Sequence, residues 1–190
     1  MLRYRLFLFA LLLGLLAFSA LSESAPMAVS WHGSGLSVYA SADGKLPIGK
    51  LYNGFESVVF RSDASLSRWA CPLTEDFTVW ISLKKAHANL PEGWVPGGDN
   101  RGLYGQKPCD MILAEVVPEN APLYSAPDGS RITAFFSPGT RLLIAGEFRE
   151  GAEGVYFVLC SGQCQGFMPM DCLRPLKTLD YASCKKFFAE

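Results

Sequence analysis

The stretch Ser37-Val38-Tyr39-Ala40-Ser41-Ala42-Asp43-Gly44 returns 85 positions later as Pro122-Leu123-Tyr124-Ser125-Ala126-Pro127-Asp128-Gly129. The tyrosine, the aspartate and the glycine keep their places. At the same offset Gly54 meets Gly139, and Val58-Val59 meets Leu143-Ile144. Further on, Gly93-Trp94-Val95-Pro96 matches Gly166-Phe167-Met168-Pro169 at an offset of 73, which puts twelve extra residues in the middle of the first copy. A substantial part of that excess falls in Arg61–Thr74. Two copies of one unit explain the pattern most economically. They cover residues 33–100 and 111–176, and the glycine-rich Asn100–Lys107, which has no apolar run, links them.

Each copy reads as short strands. Asp43-Gly44, Asp128-Gly129 and Pro138-Gly139 are turn dipeptides. Between them lie Val58–Phe60, Phe77–Ser82, Arg141–Ala145 and Val155–Cys160, runs of β-branched, aromatic and leucine residues bounded by turn formers. The spacing predicts an all-β protein, one small barrel or sandwich per copy. Only the tail, residues 177–190, allows a short amphipathic helix: Leu179, Tyr181, Phe187 and Phe188, with Leu176 before them, alternate with Lys185 and Lys186.

These motifs resemble the bacterial SH3-like (SH3b) family, in two tandem copies. Leu36–Ala42 and Ala121–Pro127 are similar to its opening strand, and Ser137-Pro138-Gly139-Thr140-Arg141-Leu142 to its glycine step into the next strand. Gly93–Pro96 and Gly166–Pro169 look like its closing strand, and Asp171-Cys172-Leu173 like the short turn before the last one. Neither copy keeps the asparagine and arginine of the family's first motif. The resemblance implies a five-to-six-stranded barrel, used in envelope and cell-wall proteins to hold peptides, peptidoglycan or partner domains.

The first residues imply export. Arg3 and Arg5 precede the apolar run Leu6–Phe18, and small residues follow at Ser19, Ala20 and Ser22. This is the layout of a secretory signal peptide, residues 1–22. The apolar run has thirteen residues, whereas a spanning helix needs about 20; the rival is an uncleaved anchor. No cysteine follows the run to take a lipid. Without the leader, 15 basic against 18 acidic residues leave a charge of −3, with no basic block to hold nucleic acid. A periplasmic or secreted protein with no membrane span after cleavage is expected. Apolar residues at 49% and aromatic ones at 13% exclude disorder.

Six cysteines, Cys71, Cys109, Cys160, Cys164, Cys172 and Cys184, remain in the exported chain. In that compartment an even number points to disulfides. Cys160 and Cys164 bracket Ser161-Gly162-Gln163 and would face each other across a ladder; Cys172 with Cys184, and Cys71 with Cys109, complete the preferred pairing. A metal site from Cys160, Cys164, Cys172 and Cys184 is the rival, but it lacks short paired knuckles. Crosslinks suit barrels this small, whose cores are marginal alone.

Catalytic chemistry is scarce. The chain has two histidines, His32 and His87, but no nucleophilic cysteine opening a helix, and His32-Gly33-Ser34-Gly35 lacks the strand of a nucleophile elbow. No catalytic residue, metal or cofactor is expected. Binding falls to aromatics: Tyr39 and Tyr124, at a strand's exit into a turn, and Trp69, in the first copy's insertion close to Cys71. Trp94 and Phe167 read as core plugs. The expected function is an exported, non-enzymatic tandem SH3-like binding protein of the bacterial envelope. Its partner is a cell-wall glycan, a peptide or an envelope protein. The alternative is an accessory subunit or inhibitor that docks on an envelope enzyme, and a redox or metal protein is a third class.

Overall fold

The structure, a computed structural model, describes residues 27–31, 36–52, 56–61, 68–82, 85–87, 90–91, 94–96, 110–150, 153–161 and 164–189. Residues 1–22, read above as a leader, the stretch 100–107, His32 and Cys109 lie outside them. The described chain is all-β with one short C-terminal helix. The first half supplies β1 (Met27–Trp31), β2 (Leu36–Tyr39), β3 (Pro47–Leu51), β4 (Glu56–Arg61), β5 (Arg68–Pro72) and β6 (Thr78–Ser82). A hairpin of β7 (Lys85–His87) and β8 (Leu90–Pro91) and then β9 (Trp94–Pro96) follow. The second half supplies β10 (Ile112–Val116), β11 (Ala121–Tyr124), β12 (Ile132–Phe136), β13 (Arg141–Glu150), β14 (Glu153–Leu159) and β15 (Gln165–Pro169). A 3-10 turn at Met170–Cys172, where the resemblance puts its short turn, leads to β16 (Leu173–Thr178) and α1 (Tyr181–Ala189).

Both halves have the same strand order. It is β9-β1-β4-β5-β6-β2-β3 in one and β16-β10-β13-β14-β15-β11-β12 in the other. The repeat extends to fine detail. A bulge falls between Val38 and Tyr39 and again, 85 residues on, between Leu123 and Tyr124. The turn bond from the Gly44 N–H to the Ser41 carbonyl recurs from Gly129 to Ala126, both at 3.2 Å. Gly129 (φ 72°) and Gly139 (φ 83°) take the left-handed conformation their turns require.

Pairing corrects one motif match. Tyr39 lies opposite Trp80 and Tyr124 opposite Phe167, so Trp80 in β6, not Trp94, stands where Phe167 does. Trp94 instead lies opposite Trp31 in β1, as β16 lies against β10. The first half therefore begins with β1, before residue 33. Its extra residues form the β7–β8 hairpin, in place of the 3-10 turn, and not the stretch before Thr74. A glycine-aromatic-aliphatic-proline tetrapeptide suits many strand positions; its ladder partners decide which one it occupies.

Two separately closed barrels are not what the ladder draws. Strand β3 pairs antiparallel with β13 through Leu51 and Gly146, Lys50 and Glu147, and Gly49 and Phe148, so one hydrogen-bonded path crosses both halves. Glycine permits this approach. A Cβ on Gly49 would lie 2.5 Å from the Glu147 carbonyl oxygen, and one on Gly146 2.7 Å from that of Lys50. Side chains reinforce the join. Lys50 Nζ is 3.0 Å from Glu147 Oε1, and the Tyr52 hydroxyl donates to Glu147 Oε2 at 3.1 Å. Burial and the Glu147 carboxylate push the Tyr52 phenol above its ordinary value.

The core explains why the halves join. Residues 142–146 of β13 are buried without a break, so both faces of this strand are covered. Leu142 and Ile144 pack with Val116, Leu123, Val158 and Met168 inside the second half. Leu143, Ala145 and Phe148, with Phe157 and Phe167, pack on Leu36, Val38, Leu51, Val79 and Ile81 of the first half. Each such side chain withdrawn from water contributes about 1.5–3 kcal/mol. The outer face of one half is thus the inner face of the whole. Leu179 and Cys184 of the tail are buried in the same shared core, and Phe187 packs against it.

Candidate functional site

The three aromatics singled out in the sequence do not converge on a groove. The Arg68 guanidinium lies 3.6 Å above the Tyr39 ring, and its Nη1 donates to the carbonyls of Ser41, at 3.2 Å, and Gly44. One face of that ring is therefore occupied. Tyr124 is half-buried against the shared core, with Gly129 beneath its ring. Trp69 is not on a loop. It sits in β5 between Arg61 of β4 and Ile81 of β6, half-buried against the same core. We expect Trp69→Ala to cost about 2–3 kcal/mol, below the roughly 3–5 of a fully buried aromatic. Urea denaturation checks this; unchanged stability with weakened ligand binding would return Trp69 to a contact role.

One cleft lies on the join between the halves. It encloses about 380 Å³, lined by Thr74 and Glu75 of the β5–β6 turn, Ser125, Arg131, Thr133 and Ala134 of the β11–β12 hairpin, and Cys164 and Gln165 entering β15. Local chemistry builds each wall. The Asp128 carboxylate accepts the Ser130 N–H at 3.0 Å, and the Ser125 N–H donates to the Arg131 carbonyl at 2.9 Å; together they close the hairpin tip. Thr74 Oγ1 crosses between halves to donate to the Ser125 carbonyl. Arg131 crosses the other way, its Nε 2.8 Å from Asp76 Oδ2 and its Nη2 3.6 Å from Glu75 Oε2. The cationic group is neutralised where it stands, so the cleft is polar without a dominant charge.

Ser125 is the feature that stands out. It is 2% exposed, and its hydroxyl has no hydrogen-bond partner among the described residues. Such a group costs about 1–3 kcal/mol until something bonds to it. Its counterpart in the first copy is Ala40, which is exposed. The repeat position is the same, but in the second copy Thr74 of the first half bonds to its main-chain carbonyl. That substitution of a hydroxyl for a methyl was the available sequence signal, but its burial depends on contact between the halves.

The thiols sit around the same region. The Cys160 N–H donates to the Cys164 carbonyl at 2.8 Å, so the two face each other across the turn as expected. Among the described residues, however, no two cysteines stand at disulfide distance. Cys172 packs with Cys160 and Cys164 on the second half's interior, whereas Cys184 and Cys71 lie in the shared core. The preferred partner of Cys71, Cys109, lies outside the described residues. Burial, then the adjacent Cys164 thiol, pushes the Cys160 thiol far above its ordinary value. Burial, then the Asp171 carboxylate, raises that of Cys172. Among the described residues no group of three or more His, Cys, Asp or Glu side chains is arranged to hold a metal ion, and no helix is long and apolar enough to cross a membrane.

No family model matches the chain, and no curated protein matches it. Among solved structures it is similar to NlpC1 of Trichomonas vaginalis, at 12% identity and a TM-score of 0.31 over 80% of this chain and 47% of that one. It is also similar to NlpC2 of the same organism, at 14% identity and a TM-score of 0.31 over 80% of this chain and 49% of the other. The chain spans about half the length of each of these two proteins.

Proposed function

We propose that this chain is an exported, non-enzymatic binding protein of the bacterial envelope, in which two SH3-like units hold a peptide or glycan segment in the cleft between them. The buried, unpartnered Ser125 hydroxyl carries the reading. Ser125 lines a cleft with Thr133 and Gln165, residue types that pair with amides and sugar hydroxyls, and its own Oγ is closed to solvent behind that wall, so a ligand that bonds it must first displace the cover. Arg131 is held by Asp76 and Glu75, which favours a neutral segment over an anion. Two further features support binding over catalysis. Among the described residues Ser125 Oγ has no base against it, and the raised Cys160 and Cys172 thiols are poor nucleophiles. The identical strand order of the halves and the 3-10 turn before β16 support the SH3-like reading.

Retention of the purified protein on isolated peptidoglycan tests the reading. Ser125→Ala should weaken retention about fivefold, corresponding to about 1 kcal/mol, because one hydrogen bond is lost. The melting temperature should stay level or rise, since no bond within the protein is broken. Unchanged retention, or a fall of several degrees, would overturn the assignment. A second reading, an accessory subunit or inhibitor of an envelope enzyme, is favoured by β12. That strand ends the sheet path and exposes Phe135 at 61% and Ile132 at 47%. Crosslinking to an envelope protein, lost in Phe135→Ser, together with no retention on peptidoglycan, would select it.

A further inference from the structure

A second, larger cleft of about 580 Å³, whose lining includes Ser161 of the Cys160–Cys164 turn, has a chemistry unlike the first. Its apolar floor is Leu113 and Leu179, both buried, with half-buried Phe187 of α1. Its rim carries Arg141 at the start of β13, Lys177 near the end of β16 and Lys186 on α1. Elements far apart in sequence thus bring three cations to one opening, in a chain whose net charge is −1.

Among the described residues none of the three forms an ion pair. Glu115 stands directly across the ladder from Arg141, but Arg174 holds its Oε1 at 3.0 Å. Asp180 is close enough for Lys177 to lower its pKa, yet its Oδ1 accepts the Ser183 N–H at 2.7 Å and caps α1. Asp180 therefore offsets part of the Lys177 charge from outside ion-pair distance, and Glu115 is shared with Arg174, which leaves the rim cationic overall. Hydroxyls of Ser161, Ser183 and Thr140 line the same space; Thr140 donates to the Ser137 carbonyl at 2.7 Å and retains acceptor capacity.

We propose that this cleft is a binding site for an acidic peptide segment. Carboxylates would meet Arg141, Lys177 and Lys186, and an apolar side chain between them would rest on Leu113, Leu179 and Phe187. The volume falls in the range of roughly 300–1,000 Å³ typical of small-ligand sites, far larger than an inorganic anion needs. An apolar floor inside a cationic rim calls for a ligand that carries both characters. The site is distinct from the neutral cleft between the halves and stands whether or not that one binds wall material.

The test is calorimetric titration of the purified protein with acetyl-Glu-Leu-Glu-Leu-amide, with acetyl-Gln-Leu-Gln-Leu-amide and inorganic phosphate as comparisons. The acidic peptide should bind at least tenfold more tightly than its glutamine counterpart, and more weakly at 500 mM than at about 50 mM salt. Lys177→Gln combined with Lys186→Gln should reduce its affinity at least tenfold. Lys45→Gln, which removes an exposed cation from the first half's β2–β3 turn, should leave it unchanged. Melting curves confirm that the variants fold. Equal affinity for the two peptides, no binding of the acidic one, or insensitivity to the double substitution would overturn the proposal. So would phosphate binding as tightly as the acidic peptide with the same lysine dependence, which would mark a general anion patch.

Discussion

Phe167→Ala should lower the stability of the whole protein by about 3–5 kcal/mol, the cost of emptying a fully buried aromatic site, and it should do so in one transition. Phe167 is completely buried. Its ring is 5.1 Å from Phe148, 5.2 Å from Phe77 and 5.3 Å from Phe157, the first two edge-on. Phe77 belongs to the first half and the others to the second, so the cavity would open at the boundary between them. A protein of this size has on the order of 5–15 kcal/mol to lose. Urea unfolding followed by both tryptophan fluorescence and far-ultraviolet circular dichroism is the measurement. Coincident curves, both shifted, are expected. Two separated transitions, with only one moved, would show that the halves fold independently.

Gly146→Val should cost about 3 kcal/mol, the upper part of the usual range for overpacking, and should loosen β3 from β13. Gly146 sits at a bulge in the β13–β14 ladder and opposite Leu51 across the join. The first carbon of any side chain there would meet the Lys50 carbonyl oxygen at 2.7 Å and Leu51 Cδ2 at 3.0 Å. A flexible side-chain end can swing aside, but a main-chain oxygen in a ladder cannot move without giving up its bond. Hydrogen exchange should therefore quicken at β3 and at the Tyr52 N–H, which donates to the Ala145 carbonyl at 2.8 Å. Glu147→Gln is the informative comparison. It removes the ion pair to half-exposed Lys50 but keeps the ladder, and should cost less than about 1 kcal/mol. If the two substitutions cost the same, the close main-chain approach is not what holds the halves together.

How much was legible beforehand varies from residue to residue. The turns at Asp43-Gly44 and Asp128-Gly129 were, because a left-handed or tight turn residue is a local requirement. So were the strands around Phe77–Ser82 and Val155–Cys160, and the short tail helix, whose N-terminus Asp180 caps with its own side chain. Trp69 was placed on an inserted loop because Trp94 had been matched to Phe167. Both errors have one source: ladder partners such as Trp80 opposite Tyr39 are set by contact across the sheet, and no short motif encodes them. The cleft at Ser125 was hidden for a related reason. Its walls come from Thr74, Ser125 and Gln165, which are distant in the chain, and nothing local to Tyr124-Ser125 distinguishes a covered hydroxyl from an exposed one.

By itself the amino-acid sequence determined the repeated unit, its β character, its turns and its helical tail, since each follows from interactions over a few residues. Tertiary structure decided how the two units relate. The alternation in Leu142-Leu143-Ile144-Ala145 and in Phe157-Val158 offers apolar side chains to both faces of a strand. A lone barrel would leave one of those faces in water. Burying it requires the other half, and the glycines at 49 and 146 let the main chains come close enough to share a ladder. That union, made between residues about a hundred positions apart, is what turns Ser125 from a surface position into the wall of a cleft.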